Sequence, residues 1–284
     1  MLEICAETLS DCLKLFPFLF LTYLFLEYLE HTATDKTADM LRNSGRFGAL
    51  VGSLSGVVPQ CGFSVIAANF YAVRLISLGT LTAVFLSTSD EMLPLMISGT
   101  VAPIIIIKIL AYKIVCACSF GYITDYLNRR FFAEYIENPD IEAICRDENC
   151  RCEKNEGIFF PALYHTVKIT LFIFLVTLVL NTGVAAITVK YDVFGLLRIP
   201  LVGEIIGAFL GLIPNCSPSV VLTQLYMDNY IGTGPLMSGS LVSGGAGLLV
   251  LFRINKHLKQ NIVITLMLYA YGVLGGLICN LLPF

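Results

Sequence analysis

The chain has 284 residues, of which 56% are hydrophobic and only 14% charged, with a mean hydropathy of +0.79 and a formal net charge of −3. That composition excludes a water-soluble globular domain, and the slightly acidic balance excludes strong nucleic-acid binding as a default. Residues 13–29, 78–97, 101–120 and 163–187 form apolar runs long enough to span a bilayer as helices.

In chain order, residues 13–29 are expected to form a first helix, with Pro17 in its opening turns and Glu27, Glu30 and His31 at its wet far end. Residues 1–10 lack a basic n-region followed by a short apolar core and a small-residue cleavage site, so this helix is expected to serve as its own insertion signal. After a polar link, residues 47–58 and 61–73 make two short apolar segments. At ~1.5 Å rise per residue neither can cross a hydrocarbon core of ~30 Å. They predict a re-entrant hairpin turning at Pro59-Gln60, with a tilted, kinked pair of crossings as the alternative. Residues 78–97 can span, but they carry Ser87-Thr88-Ser89-Asp90-Glu91 and then Pro94, the pattern of a helix interrupted at depth. Residues 101–122 cross next and contain Lys108 and Lys113. Residues 124–160 form the one long hydrophilic connection. Beyond it come a helix at 163–187, a second short pair at 201–213 and 216–228, and crossings at 234–252 and 262–282.

The second half repeats the first. Gly56-Val57-Val58-Pro59-Gln60-Cys61-Gly62-Phe63-Ser64 returns 155 positions later as Gly211-Leu212-Ile213-Pro214-Asn215-Cys216-Ser217-Pro218-Ser219. The register continues without a gap: Gly52 falls on Gly207, Tyr71 on Tyr226 and Gly79 on Gly234. The expected fold is an all-α polytopic membrane protein of two repeats, 1–123 and 161–284, joined by a cytoplasmic linker at 124–160. Each repeat has three spanning helices and one proline-broken hairpin, ten helical segments in all. Three crossings are an odd number, so the second repeat should be inverted relative to the first. Lys36, Arg42, Arg46, Arg74, Arg129, Arg130, Arg146, Arg253 and Lys259 then lie on the cytoplasmic side, whereas Lys14, Lys190 and Arg198 lie outside, as the positive-inside rule requires.

Inverted repeats with discontinuous helices meeting at mid-membrane suit a secondary transporter. Proline at 59 and 214 removes an N–H, which should free the carbonyls of Ser55 and Leu210. Such backbone is tolerated at depth only where protein or a watery cavity satisfies it. The expected cavity is lined by Gln60, Cys61, Ser64, Asn215, Cys216, Ser217 and Ser219, with Ser217 and Pro218 read as N-cap and first helical residue. Asp90 and Glu91 mark an ion or proton path, because ionised carboxylates in mid-span cost a few kcal/mol. With Ser87, Thr88 and Ser89 they complete the candidate ligand set. Their second-half counterparts, Gly245 and Ala246, are uncharged, so the first half supplies the charge. Thr88-x-x-Glu91 also fits a capping box, which leaves capping and substrate contact both open for Glu91. Lys108 could pair with either acid, sit buried as a neutral amine, or snorkel.

The ten cysteines do not form a disulfide framework. Cys61 and Cys216 are either small packing groups or soft ligands; thiolate favours zinc, cadmium or trivalent arsenic, whereas carboxylate, amide and carbonyl favour manganese. Cys145, Cys150 and Cys152 are either a cytoplasmic capture site or free thiols in a reducing compartment.

Residues 56–64, Tyr71-x-x-Arg74, Ser77-Leu78-Gly79-Thr80-Leu81 and Phe85-Leu86-Ser87-Thr88-Ser89-Asp90-Glu91-Met92-Leu93-Pro94 are similar to the ten-helix heavy-metal exporter family, whose members are labelled arsenic efflux proteins or manganese transporters. The resemblance covers nearly the whole chain. It implies a metal exporter in a prokaryotic inner or plasma membrane, with the bilayer and a small ion as partners and a homo-oligomer allowed. No nucleotide-binding loop is present, so ion or proton coupling is expected, with no resident cofactor. The alternative is an anion or neutral-solute permease that holds its substrate at half-helix N-termini. An intramembrane enzyme built on Cys61 or Ser64 would need a base, and His31, His165 and His257 map to helix ends or loops.

Overall fold

The computed structural model describes residues 8–10, 12, 13, 15–17, 19–24, 28, 47–57, 62–89, 91–99, 101–131, 159–188, 193–214, 217–255 and 257–282, and among these every regular element is an α-helix. Helical residues between 8 and 24 come first. The labelled helices are α1 (Gly48–Ser55), α2 (Gly62–Ala72), α3 (Leu78–Ser87), α4 (Met92–Ser98), α5 (Pro103–Phe131), α6 (Phe159–Thr188), α7 (Val193–Leu196), α8 (Val202–Gly211), α9 (Ser217–Met227), α10 (Thr233–Val242), α11 (Ala246–Ile254) and α12 (Leu258–Asn280). Among the described residues, ten segments result when the interrupted pairs α3/α4 and α10/α11 are each counted once, the N-terminal helical residues are included and the single turn α7 is left out. Helical stretches long and apolar enough to cross a bilayer run over Pro103–Arg130, Ala162–Val179, Thr233–Ile254 and Leu258–Asn280. The protein is a polytopic membrane protein.

The short segments end where their sequence dictates. α1 and α2 have 8 and 11 residues, and α8 and α9 have 10 and 11. At ~1.5 Å per residue none reaches much beyond half the hydrocarbon thickness. α3 opens on Ser77, whose side chain accepts from the Thr80 N–H, and it closes when the Thr88 hydroxyl turns back onto the Val84 carbonyl at 2.7 Å. The expected interruption of residues 78–97 is therefore present, between Ser87 and Met92. Residues 234–252, expected as one uninterrupted crossing, are also broken. α10 stops at Val242, Gly244 N–H bonds to the Val242 carbonyl at 2.6 Å, and Gly245 has φ 52° before α11 begins. Only glycine adopts that backbone without strain, and the Gly244-Gly245 pair supplies it.

The two interrupted helices form the centre. Every residue of α3 from Gly79 to Ser87, and of α10 from Gly234 to Val242, is buried. α5, α6 and α12 stand outside them, presenting Ile104, Ile107 and Val115, Leu171 and Leu175, and Leu266 and Leu274 on exposed faces. These are the surfaces expected to meet lipid.

Glycine sets how closely the helices approach. α1 lies on α3 and α8 lies on α10 through stripes spaced four residues apart, Gly48-Gly52-Gly56 and Gly203-Gly207-Gly211. A Cβ on Gly52 would come 3.0 Å from the Thr80 carbonyl; on Gly207, the corresponding position, 2.6 Å from that of Pro235. The same pairing holds farther out: a Cβ on Gly121 or Gly276 would lie 2.8 Å from the carbonyl of Gly79 or Gly234. The second short helix of each half packs on its own central helix, α2 on α3 and α9 on α10, and also crosses over, α2 packing on α11 and α9 on α4. The two halves are interlocked rather than laid side by side.

Backbone carbonyls cannot yield to an added side chain. Gly207→Val is therefore expected to lower stability by roughly 1–3 kcal/mol, seen as a lower melting temperature of the detergent-purified protein. Gly232→Ala, with nothing within 4 Å of the new Cβ, should leave the melting temperature unchanged.

Candidate ion site at the two helix breaks

Lys113 sits ten residues along α5, ~15 Å from its start. Its side chain is fully buried, a costly position for an ammonium in a membrane protein unless polar groups receive it. Nζ donates to the Thr88 carbonyl at 2.5 Å and to the Ser240 carbonyl at 2.9 Å. Thr88 is the C-cap of α3, and Ser240 lies in the last turn of α10. One cation thus joins the interrupted helix of the first half to that of the second. The counterpart of Lys113 in the repeat is Leu268, buried and apolar.

The break itself is polar and enclosed. Ser87, Thr88 and Ser89 are all buried. Their hydroxyls donate to nearby carbonyls: Ser87 to Val84 at 3.1 Å, Thr88 to Val84, and Ser89 to Ser87 at 3.1 Å. Those protons are committed to shaping the turn, while the oxygen lone pairs stay available to a ligand. Across from them Gly244 rests against the Phe85 ring, 3.5 Å from where its Cβ would lie. Ser243, the counterpart of Thr88, is buried, and its hydroxyl has no hydrogen-bond partner among the described residues. A buried hydroxyl with no partner among the described residues, at the C-cap of the helix whose Ser240 carbonyl takes Lys113, is the kind of group that a bound ion or water would satisfy.

The expected site residues separate into three groups. Ser87, Thr88, Ser89 and Glu91 lie at the first break. Ser64 is buried where α2 meets α11, its carbonyl 2.6 Å from where a Cβ on Gly247 would fall, so the first short pair is brought to the second break. Ser217, Pro218 and Ser219 form the first turn of α9, which packs on α4 just beyond the first break. Pro59, Gln60, Cys61, Asp90, Asn215, Cys216, Cys145, Cys150 and Cys152 lie outside the described residues. Among the described residues no three His, Cys, Asp or Glu side chains gather where one metal could be held.

Four expectations are corrected. Lys108 is exposed beside Ile104 and Ile107, so it is not the charge partner at the break. Lys113, five residues on and ~140° round the helix, takes that place. Glu91 occupies the N-cap position of α4, yet its side chain makes no capping hydrogen bond, and Thr88 serves the end of α3 instead of a capping box. The Leu210 carbonyl is not free: the Ile213 N–H takes it at 3.0 Å in a tightened last turn ahead of Pro214. α9 begins at Ser217 itself, so Pro218 is its second residue, equally compatible with an unused N–H.

Two carboxylates, the half-buried Asp125 and the buried Glu204, hold the outer helices of the two halves. Asp125 of α5 accepts from the Gly79 N–H at 2.8 Å and the Ser77 hydroxyl at 2.9 Å. In the second half Asn280 stands at the equivalent position and donates to Glu204 Oε1. Sequence reasoning missed Lys113, Ser240 and Ser243. A lysine in mid-span and a Ser-Gly-Gly run within an apolar stretch were the available signals.

Glu91→Gln is expected to leave the melting temperature of the purified protein within about a degree of wild type, because no cap is lost. Ser77→Ala removes both the Thr80 cap and a bond to Asp125, and should cost roughly 1–2 kcal/mol.

The comparisons with known proteins bear on this arrangement. No curated protein and no solved structure matches the chain. A family model described as "Putative, 10TM heavy-metal exporter" matches residues 1–200. That region contains the first interrupted helix, Asp90, Glu91 and Lys113. The chain belongs to this family of ten-helix membrane exporters.

Proposed function

We propose that the protein is a secondary-active exporter of a divalent or heavy-metal ion, of the manganese, zinc, cadmium or arsenite class, working by alternating access at a site between its two halves. The observation that carries this reading is the pair of carbonyls, Thr88 and Ser240, that two interrupted helices from different halves aim at one cation. Oxygen dipoles converging at depth suit a partly dehydrated cation. Asp90 follows the Thr88-Ser89 turn and supplies the negative charge that carbonyls alone do not. Ser64, Ser219 and the hairpin residues Gln60, Cys61, Asn215, Cys216 and Ser217 complete the lining, with Glu91 at its edge.

The halves are inverted repeats, and α1/α2 and α8/α9 are re-entrant pairs, in this reading. Helix lengths of 8 to 11 residues support the hairpins. Glycine contacts that recur 155 residues apart support the repeat. The crossed packing of α2 on α11 and α9 on α4 supports a shared centre, since movement of either half then reshapes both breaks. The linker expected over residues 124–160 is cytoplasmic, its first residues, 124–131, continuing α5 as helix, and the host membrane is a prokaryotic inner membrane. An anion permease would instead aim helix N-termini and free N–H donors at its substrate; the ammonium here spends donors on carbonyls.

Reconstituted protein should carry at least one of manganese, zinc, cadmium or arsenite across proteoliposome membranes. Flux confined to common anions would overturn the reading in favour of the permease. Asp90→Asn should abolish metal flux with folding and insertion intact; wild-type rate and affinity in that variant would place the cation site elsewhere. Single cysteines placed at Lys36 and Arg74 should label from the same, cytoplasmic side, and one at Lys190 from the other. Opposite-side labelling of 36 and 74 would end the hairpin model.

A further inference from the structure

We propose that the seam between α2 and α11 is the cytoplasmic entrance to the ion site, and that the hydrogen bond between Tyr71 and Gln260 is the latch that keeps it shut. This rests on the metal-exporter reading above, since an exporter admits its ion from the cytoplasm. α2 belongs to the first half and α11 to the second, and the two are packed together. At one end of the seam the Ser64 carbonyl lies 2.6 Å from where a Cβ on Gly247 would fall, beside the second break. Ala68 and Tyr71 follow Ser64 at four and seven residues, so the three share one face of α2, and Tyr71 lies ~10 Å farther along. All three are buried, as are Val250 and Leu251 of α11. Tyr71 is the bulky group on a stripe otherwise made of serine and alanine.

Three amides at the corner between α11 and α12 hold that tyrosine. Gln260 Nε2 donates to the Tyr71 hydroxyl at 2.6 Å, a bond between residues of different halves. Asn255, the C-cap of α11, donates from Nδ2 to Gln260 Oε1 at 3.1 Å and to Asn261 Oδ1 at 2.7 Å. Asn261 Nδ2 returns to the Asn255 carbonyl at 2.8 Å. Asn255 and Asn261 are buried, and a satisfied network of buried amides is rigid, so Gln260 meets Tyr71 in a fixed orientation. From its own half the Arg74 guanidinium lies over the Tyr71 ring, 5.4 Å from its centroid. Arg74, Arg253 and Lys259 gather at this end, which is the cytoplasmic one in the proposed topology.

The repeat supplies the same tyrosine to the other seam and leaves out the amides. Tyr71 corresponds to Tyr226, and α9 packs on α4 as α2 packs on α11. Asn255, Gln260 and Asn261 correspond to Thr100, Ile105 and Ile106. Isoleucine has no donor for a phenol, and that seam instead brings Met227 of α9 against Gly99 at the end of α4. Tyr71 is buried, whereas Tyr226 is half-buried. Of two equivalent seams, then, the one at the cytoplasmic end carries a polar latch, and this conformation is the one shut to the cytoplasm. Breaking one side-chain hydrogen bond frees the end of α2 from the α11–α12 corner. The seam can then part past Ala68 and open a way to Ser64.

Ala68→Cys puts a thiol on the seam. Its reaction with a membrane-impermeant maleimide, read at residue 68 by peptide mass spectrometry, is separable from that of the native cysteines. In vesicles exposing the cytoplasmic face this thiol should label slowly. Adding Tyr71→Phe or Gln260→Met, each of which removes the bond with little change of volume, should speed labelling roughly three- to tenfold, the population shift that one hydrogen bond produces. The two changes together should do no more than either alone, because they remove the same bond. Labelling unchanged in both variants, acceleration confined to the opposite face, or effects that multiply in the pair would each overturn the proposal. If the cysteine variant does not fold, amide hydrogen exchange over residues 68–75 compares wild type with Tyr71→Phe directly: faster exchange in the variant is expected, and equal exchange overturns the latch. Metal flux in proteoliposomes with unchanged labelling would remove this inference and leave the exporter reading standing. Accelerated labelling without any metal flux would remove the exporter reading and leave the latch.

Discussion

A helix interrupted inside an apolar layer leaves carbonyls that its own backbone no longer covers, and lipid offers them nothing. In this protein the interruptions are placed face to face, and the end of each is received by the same ammonium, Lys113. The rest of the architecture is what makes that meeting possible. α3 and α10 can lie at the centre only if their neighbours come close, and the neighbours come close because glycine stands at each crossing. α5 carries Lys113 to the breaks because Gly121 lets it settle onto Gly79, with Asp125 fastening the far end. A bulky residue at these crossings would move the ammonium away from its carbonyls.

The repeat is reproduced in packing and departed from in charge. Gly52 and Gly207, Gly121 and Gly276, and the Asp125 and Asn280 clamps all occupy matching places. Yet the first half has Asp90, Glu91 and Lys113 where the second has Gly245, Ala246 and Leu268. Symmetric scaffolding with one-sided charge has a physical logic. Two like sets of charges meeting where the breaks face each other would repel, whereas one set facing neutral carbonyls and hydroxyls can be compensated locally. The second half contributes oxygen, from Ser240 and Ser243, and leaves the ionisable groups to its partner.

Much of this fold was legible before any coordinates, for identifiable reasons. The 155-residue repeat carried the short-helix lengths, because proline at 59 and 214 and the runs flanking them fix where a helix can continue. The break after Ser87 was legible because Ser-Thr-Ser-Asp-Glu is too polar to remain helical within a membrane run. The break after Val242 was missed because Ser243-Gly244-Gly245 is short, uncharged and set in an apolar stretch. A hydropathy window passes over it; the backbone requirement at Gly245 does not show in hydropathy at all. Of the placements open to Lys108, its exposure fits snorkelling, whereas Lys113 lies on the buried face, a difference of phase. Both are lysines within one helix, and separation of the exposed from the buried face depends on which side α3 and α10 occupy. Composition does not encode that. The Glu91 cap failed for a related reason, since Thr88 can turn back onto Val84 as readily as forward onto the next helix.

The placement of Lys113 also constrains how the centre can move. Its two carbonyl partners belong to helices from different halves, while its Cα belongs to α5, packed on α1 and α3 of the first half. A relative shift of the halves that carried α10 away from α3 would break the Ser240 contact and preserve the Thr88 contact. The ammonium would then have lost an acceptor in an enclosed setting, where the remaining charge is more costly. Another cation supplied to the Ser240 carbonyl and to the Ser243 hydroxyl, which has no hydrogen-bond partner among the described residues, would lower the cost of that separation. Under the proposed alternating access, coupling between charge at the site and movement of the halves would not require a relay of distant residues, because one side chain is bonded across the divide.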